Sequence, residues 1–200
     1  MSQHAGRRLS LLTALALAMS AIAWLATQST AHPGRDHARA PSSEAQKTDL
    51  QRARAATRRF RDVRVAREAG YRATGECAQD PKYGGMGIHY GNEELIADGE
   101  LDVTKPEILV YQPTPGGRLR LGAIEYFAAD ADQDLATDPD RPDLFELPFD
   151  GPMRGHEAGM PVHYDLHVWL YRHNPAGRFA MWNPRVHCPD QARHAPHATR

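Results

Sequence analysis

Between residues 43 and 69 apolar side chains recur every three or four positions: Leu50, Ala53, Ala56, Phe60, Val63 and Ala66. That spacing predicts one long amphipathic helix with a single apolar stripe. Ser42 or Ser43 supplies an N-cap, Glu44 and Asp49 place acids where the helix dipole favours them, and Gly70 is a natural residue to end it. The rest of its surface carries Arg52, Arg54, Arg58, Arg59, Arg61, Arg64 and Arg67, which reads as a solvated face; docking on an anionic surface is the functional alternative.

From Tyr71 onward the period shortens. Met86–Tyr90 predicts a short strand after Gly84-Gly85, and 92–98 one or two helical turns. Residues 108–112 and 119–127 flank Pro113-Thr114-Pro115-Gly116-Gly117 and predict a β-hairpin. Residues 128–143 are acidic and patternless, and 148–161 read as a long loop. Val162–Tyr171 predicts a strand, and Phe179–Trp182 a second, shorter one. One helix followed by several antiparallel strands gives an α+β class, the long N-terminal helix packed on the sheet.

Two of these strands carry polar residues where a core face is expected. In His163-Tyr164-Asp165-Leu166-His167-Val168-Trp169, period-two alternation puts His163, Asp165, His167 and Trp169 on one face and Tyr164, Leu166 and Val168 on the other. On 119–127, Glu125 falls on the face of Leu119, Leu121, Ala123 and Phe127. A carboxylate among apolar neighbours needs an arginine, a histidine or a metal ion, because an unpaired buried charge costs several kcal/mol or more.

His89, set between Gly87 and Gly91, completes a set with Glu125, His163 and His167. Three or four N/O donors without a thiolate suit zinc, iron, manganese or copper, with Asp165 as an outer partner that orients a histidine. The competing reading is a structural polar core in a non-enzymatic envelope protein, with a small molecule or partner bound in a groove near Trp169 and Tyr90. Asp130-Ala131-Asp132-Gln133-Asp134 opens like a calcium loop, but Leu135 and Arg141 stand where an EF-hand needs glycine and glutamate. No G-x-S-x-G and no phosphate-cradling glycine motif occurs, and no catalytic residue follows from the sequence.

The N-terminus changes where this chemistry operates. Arg7 and Arg8, the apolar run Leu9–Ala26 and Ser29-Thr30-Ala31 have the layout of a signal peptide over 1–31, with an uncleaved membrane anchor as the alternative. Residues 32–42 then form a linker, 43–190 a single domain, and 191–200 a disordered tail. Removing 1–31 takes two arginines and no acids, leaving 22 basic against 25 acidic residues and a net charge of −3. That balance argues against a nucleic-acid partner, and no second apolar run is long enough to span a membrane. In an exported, periplasmic or extracellular chain the only two cysteines, Cys77 and Cys188, are expected to pair. A loop of that size gains roughly 4–5 kcal/mol in the chain-entropy model.

The run from Leu144-Phe145 through Pro148-Phe149-Asp150-Gly151-Pro152-Met153, Gly155-His156, Gly159-Met160-Pro161, His163–Trp169, Asn174-Pro175, Gly177, Phe179, Asn183-Pro184, Val186 and Cys188-Pro189 resembles a family of uncharacterised exported bacterial proteins. Gly84-Gly85-Met86-Gly87, His89-Tyr90, Lys105-Pro106-Glu107, Tyr111 and Glu125-Tyr126 belong to the same resemblance, which covers roughly residues 55–190. It implies export and the extent of the domain; His89, Glu125 and His167 fall within its motifs, and it assigns them no role.

Overall fold

The computed structural model describes residues 42–156 and 159–189. The predicted signal segment 1–31, all of the linker but its last residue and the tail 191–200 lie outside them. All described residues belong to one compact unit.

The single long helix does not form. Ser43 caps α1 (Glu44–Thr57), its side chain accepting from the Gln46 amide at 3.0 Å. A 3-10 turn (Arg58–Arg61) follows, and Asp62, extended at φ −94° and ψ 112°, starts α2 (Val63–Glu68) by accepting from the Arg64 amide at 3.0 Å. The break is held from the sheet side as well, because the Tyr111 hydroxyl donates to the Phe60 carbonyl at 2.6 Å. An Asx N-cap and a tertiary hydrogen bond thus outcompete helix propagation. The stripe survives the interruption: Leu50, Ala53, Phe60 and Ala66 are all buried. Gly70, at φ +96°, takes the left-handed conformation that terminates α2.

The strands are β1 (Arg72–Ala73), β2 (Ala78–Asp80), β3 (Gly84–Gly91), β4 (Ile108–Pro113), β5 (Leu119–Ala129), β6 (Asp143–Leu144), β7 (Leu147–Pro148), β8 (Asp150–Met153) and β9 (His163–Val168). The main sheet runs β1-β3-β4-β5-β9-β8, with β2 also on β3, and every pairing is antiparallel. β6 and β7 form a separate two-stranded ribbon. Between β3 and β4 lies α3 (Glu93–Asp98), capped by Asn92. The α+β class and the hairpin 108–127 follow the sequence pattern. The loop expected over 148–161 instead contributes β8. Phe179–Trp182 forms turns, and Phe179 reaches the core without strand pairing. Among the described residues no helix is long and apolar enough to cross a membrane.

A bulge decides which residues share a face. Val110 pairs Ala123 but Tyr111 pairs Leu121, so Gly122 is the extra residue on β5. Alternation restarts there. Leu119 and Leu121 join Leu109, Tyr111, Ile124, Tyr126, Leu166 and Val168 on the face packed against α1 and α2. Ala123, Glu125 and Phe127 point to the opposite face, where Ile108, Val110, Trp169 and Val186 form a second, smaller cluster. The face predicted from Leu119 through Phe127 is therefore split, and β5 is buried on both sides beyond the bulge.

Cys77 and Cys188 are bonded, with Cα atoms 5.7 Å apart. The bridge ties the segment before β2 to the chain beyond the last strand. A disulfide of this kind points to a non-cytoplasmic compartment.

Candidate metal centre

Three strands build the site on the sheet face away from α1 and α2. Glu125 on β5 and His167 on β9 are direct Cα partners. His89 on β3 pairs Val110, which pairs Ala123 on β5, so its imidazole reaches Glu125 diagonally across β4. The side chains are 17% (His89), 5% (Glu125) and 1% (His167) exposed, so the site meets solvent on the His89 side.

Glu125 Oε2 lies 3.2 Å from His89 Nε2 and 3.2 Å from His167 Nε2. The two rings stand edge to face, centroids 5.8 Å apart. Despite these separations Glu125 Oε2 and both nitrogens of His167 are buried without a hydrogen bond of good geometry. One donor atom from each of the three residues lies within 4.8 Å of the others, and this is the group among the described residues that could hold a metal ion. Bonds of about 2.0–2.1 Å at tetrahedral angles hold donors roughly 3.3 Å apart, close to the two shorter edges seen here.

The electrostatics of the group are those of an ion pair. Burial pushes the Glu125 carboxyl up, but His167 and His89 more than offset it and hold it down at about 2. Burial pulls the His167 imidazole down, while Glu125 and Asp165 raise it to about 9. Asp165 Oδ1 stands 3.8 Å from His167 Nδ1, beyond hydrogen-bond length but close enough to act on its charge. Burial raises Asp165 itself above the usual carboxylate range.

His163, expected as a fourth ligand, is not brought to the group. Its ring stacks on Phe127 at 5.0 Å, its Nδ1 lies 3.1 Å from the Pro161 carbonyl oxygen, and the His156 ring meets it edge-on at 5.2 Å. The groove expected near Trp169 and Tyr90 does not form either: Tyr90 packs in the helix-side core and Trp169 in the cluster on the other face. Asp132 and Asp134 accept backbone amides of their own loop, as in Asx turns.

Two buried acids escaped the sequence reading. Asp150 on β8 is the Cα partner of Asp165 and helps hold His167 charged. Glu107, 1% exposed, accepts the Phe127 amide at 3.1 Å through Oε2, and its Oε1 has no hydrogen-bond partner. Burial pushes Glu107 up to about 8. Its only sequence signal is a carboxylate directly before the apolar run Ile108–Tyr111.

No protein-family model, no curated protein and no solved structure matches the chain.

Proposed function

We propose that this is an exported metal-binding protein in which His89, Glu125 and His167 hold one divalent transition metal. The reading is carried by one observation: imidazole nitrogens from the two strands β3 and β9 converge on the buried Glu125 Oε2 of β5, at 3.2 Å each, without hydrogen bonds of good geometry to it. A bound metal ion would satisfy these atoms together, where a structural network normally pairs each buried donor and acceptor. Two imidazoles and a carboxylate suit zinc, iron, manganese or copper, and three protein ligands with a further position left over is the catalytic pattern. When bound, the metal would supply Lewis acidity or an activated water. Asp165, its Oδ1 3.8 Å from His167 Nδ1, would favour by its charge the tautomer that keeps the proton on Nδ1 and presents Nε2 inward. Export is supported by the leader-like segment 1–31 and by the disulfide, and it agrees with the resemblance to exported bacterial proteins.

The second reading is a non-enzymatic envelope protein that binds a small molecule or partner, with the three side chains as a structural ion pair. The low Glu125 and high His167 pKa support it. Elemental analysis of the untagged mature domain separates the two. The metal reading expects one equivalent in the natural protein and none in His167→Ala or Glu125→Ala. Sub-stoichiometric metal, with no uptake on titration with zinc, ferrous, manganous or cupric ions, would leave the structural reading standing.

A further inference from the structure

We infer that the Cys77–Cys188 disulfide is the latch of the metal centre: it holds a C-terminal strap over the face that carries the site, and opening it lets the metal escape. The inference rests on the metal reading of His89, Glu125 and His167.

The strap is the segment 183–188. Its first end is fixed by a two-way backbone pair, Gly85 donating to Asn183 at 3.2 Å and Asn183 donating back at 3.0 Å. The contact is close: a Cβ on Gly84 would stand 2.3 Å from the Asn183 carbonyl oxygen, and one on Gly85 2.9 Å from Val186 Cγ1. The glycines of β3 therefore make room for the strap and leave none for a side chain. The far end is fixed to β2, where the Cys188 amide donates to Gln79 Oε1 at 2.5 Å and the disulfide joins Cys77.

Between these tethers Val186, 2% exposed, packs with Ile108, Val110, Ala123, Phe127 and Trp169. Those residues frame the centre. Val110 is the Cα partner of His89, Ile108 of Glu125, and Ala123 and Phe127 are the same-face neighbours of Glu125. Trp169 stands two positions after His167, just past the end of β9, and its indole donates to the Ala180 carbonyl at 2.6 Å in the approach to the strap. The wall of the site thus includes a segment without strand structure of its own that pairs with the sheet through a single bridge of two hydrogen bonds. A segment with so little backbone pairing opens readily unless it is tied down, and the covalent tie is the disulfide.

A dithiol reductant would open the latch by thiol–disulfide exchange. Its two thiols become one disulfide, and Cys77 and Cys188 take up the two protons as thiols. No electron passes to the metal. With the strap free, solvent and chelators reach the centre from the Val186 side as well as past His89.

The test loads the domain with zinc and follows its release to a chromogenic chelator, for the natural protein, for the double variant Cys77→Ser with Cys188→Ser, and for Val186→Ala with the bridge intact. Amide hydrogen exchange of β4 and β5 reports whether the sheet is preserved. The expected result is release at least tenfold faster in the double variant and about threefold faster in Val186→Ala, with β4 and β5 still protected. A double variant that keeps its protection and releases zinc within twofold of the natural rate overturns the latch and leaves the metal site intact. If the double variant loses the sheet, Val186→Ala decides: an unchanged rate there overturns the latch. Failure of the natural protein to take up zinc, ferrous, manganous or cupric ions would sink the metal reading itself, and the latch with it.

Discussion

Glu125 and His167 are Cα partners on adjacent strands, and Glu125 Oε2 stands 3.2 Å from His167 Nε2 with both side chains buried. A carboxylate is stable there only because two imidazoles face it. Glu125→Gln keeps the shape and removes the charge. It should weaken zinc binding by more than about 100-fold, beyond the usual range for loss of an outer-shell partner. It should also lower the His167 pKa, because the largest of the charges that stabilise the imidazolium is gone. Zinc titration and imidazole NMR shifts check the two effects separately. Unchanged zinc affinity would remove Glu125 from the ligand set.

Proton release follows from the same pair. In the metal-free protein Glu125 and Asp165 outweigh burial and keep His167 protonated up to about pH 9. A metal takes only the neutral ring, so binding at pH 7 must expel that proton. Affinity should therefore rise by about tenfold per pH unit until the pH passes the imidazole pKa, then level off. Titration calorimetry at pH 7 in buffers of different ionisation enthalpy should count about one proton per metal bound. A count of zero would mean that His167 is already neutral.

Much of this pairing is legible in the residues themselves. Alternation puts His167 and Asp165 on one face of β9, and Glu125 stands out because Ala123 and Phe127 flank it. His163 misleads because period two specifies the face and not the distance along it; the register seats it opposite Ala129, four positions from the His167 pairing. The bulge at Gly122 is equally hidden, since a glycine in a strand signals a possible irregularity without saying which residues change sides. Position 62 misleads in another way. An aspartate inside a helical period looks like a solvated residue, and only the Tyr111 hydroxyl waiting at the Phe60 carbonyl shows why the helix stops there.

Glu107 gives the fold a pH dependence of its own. Burial raises its pKa from 4.5 to about 8, so the folded state holds a proton that the unfolded chain loses above pH 4.5. Stability from this group is complete below pH 4.5 and is lost as the pH rises towards 8, by an amount on the order of a few kcal/mol. Glu107→Gln keeps a neutral side chain that can still accept the Phe127 amide. Urea unfolding at pH 5 and pH 8 should show a smaller loss of stability across that interval in the variant than in the natural protein. Equal losses would mean that Glu107 is ionised in the folded protein at neutral pH.

The interrupted helix provides the last test. Tyr111 is fully buried and its hydroxyl donates to the Phe60 carbonyl at 2.6 Å, which fixes the 3-10 turn against the sheet. Tyr111→Phe leaves that carbonyl without its partner in the core and should cost about 1–3 kcal/mol. Asp62→Ala removes the cap of α2 and should cost about 1 kcal/mol. The two changes act on the two ends of one break, so they should not be additive. Once the cap is lost, residues 58–64 can extend α1, and the Phe60 carbonyl can then accept an intrahelical amide in place of the hydroxyl. The double variant should accordingly be more stable than the sum of the single losses, by about 0.5 kcal/mol or more in a denaturant-based double-mutant cycle. Strict additivity would show that the break is imposed by packing of Phe60 and Ala66 alone, independent of either hydrogen bond.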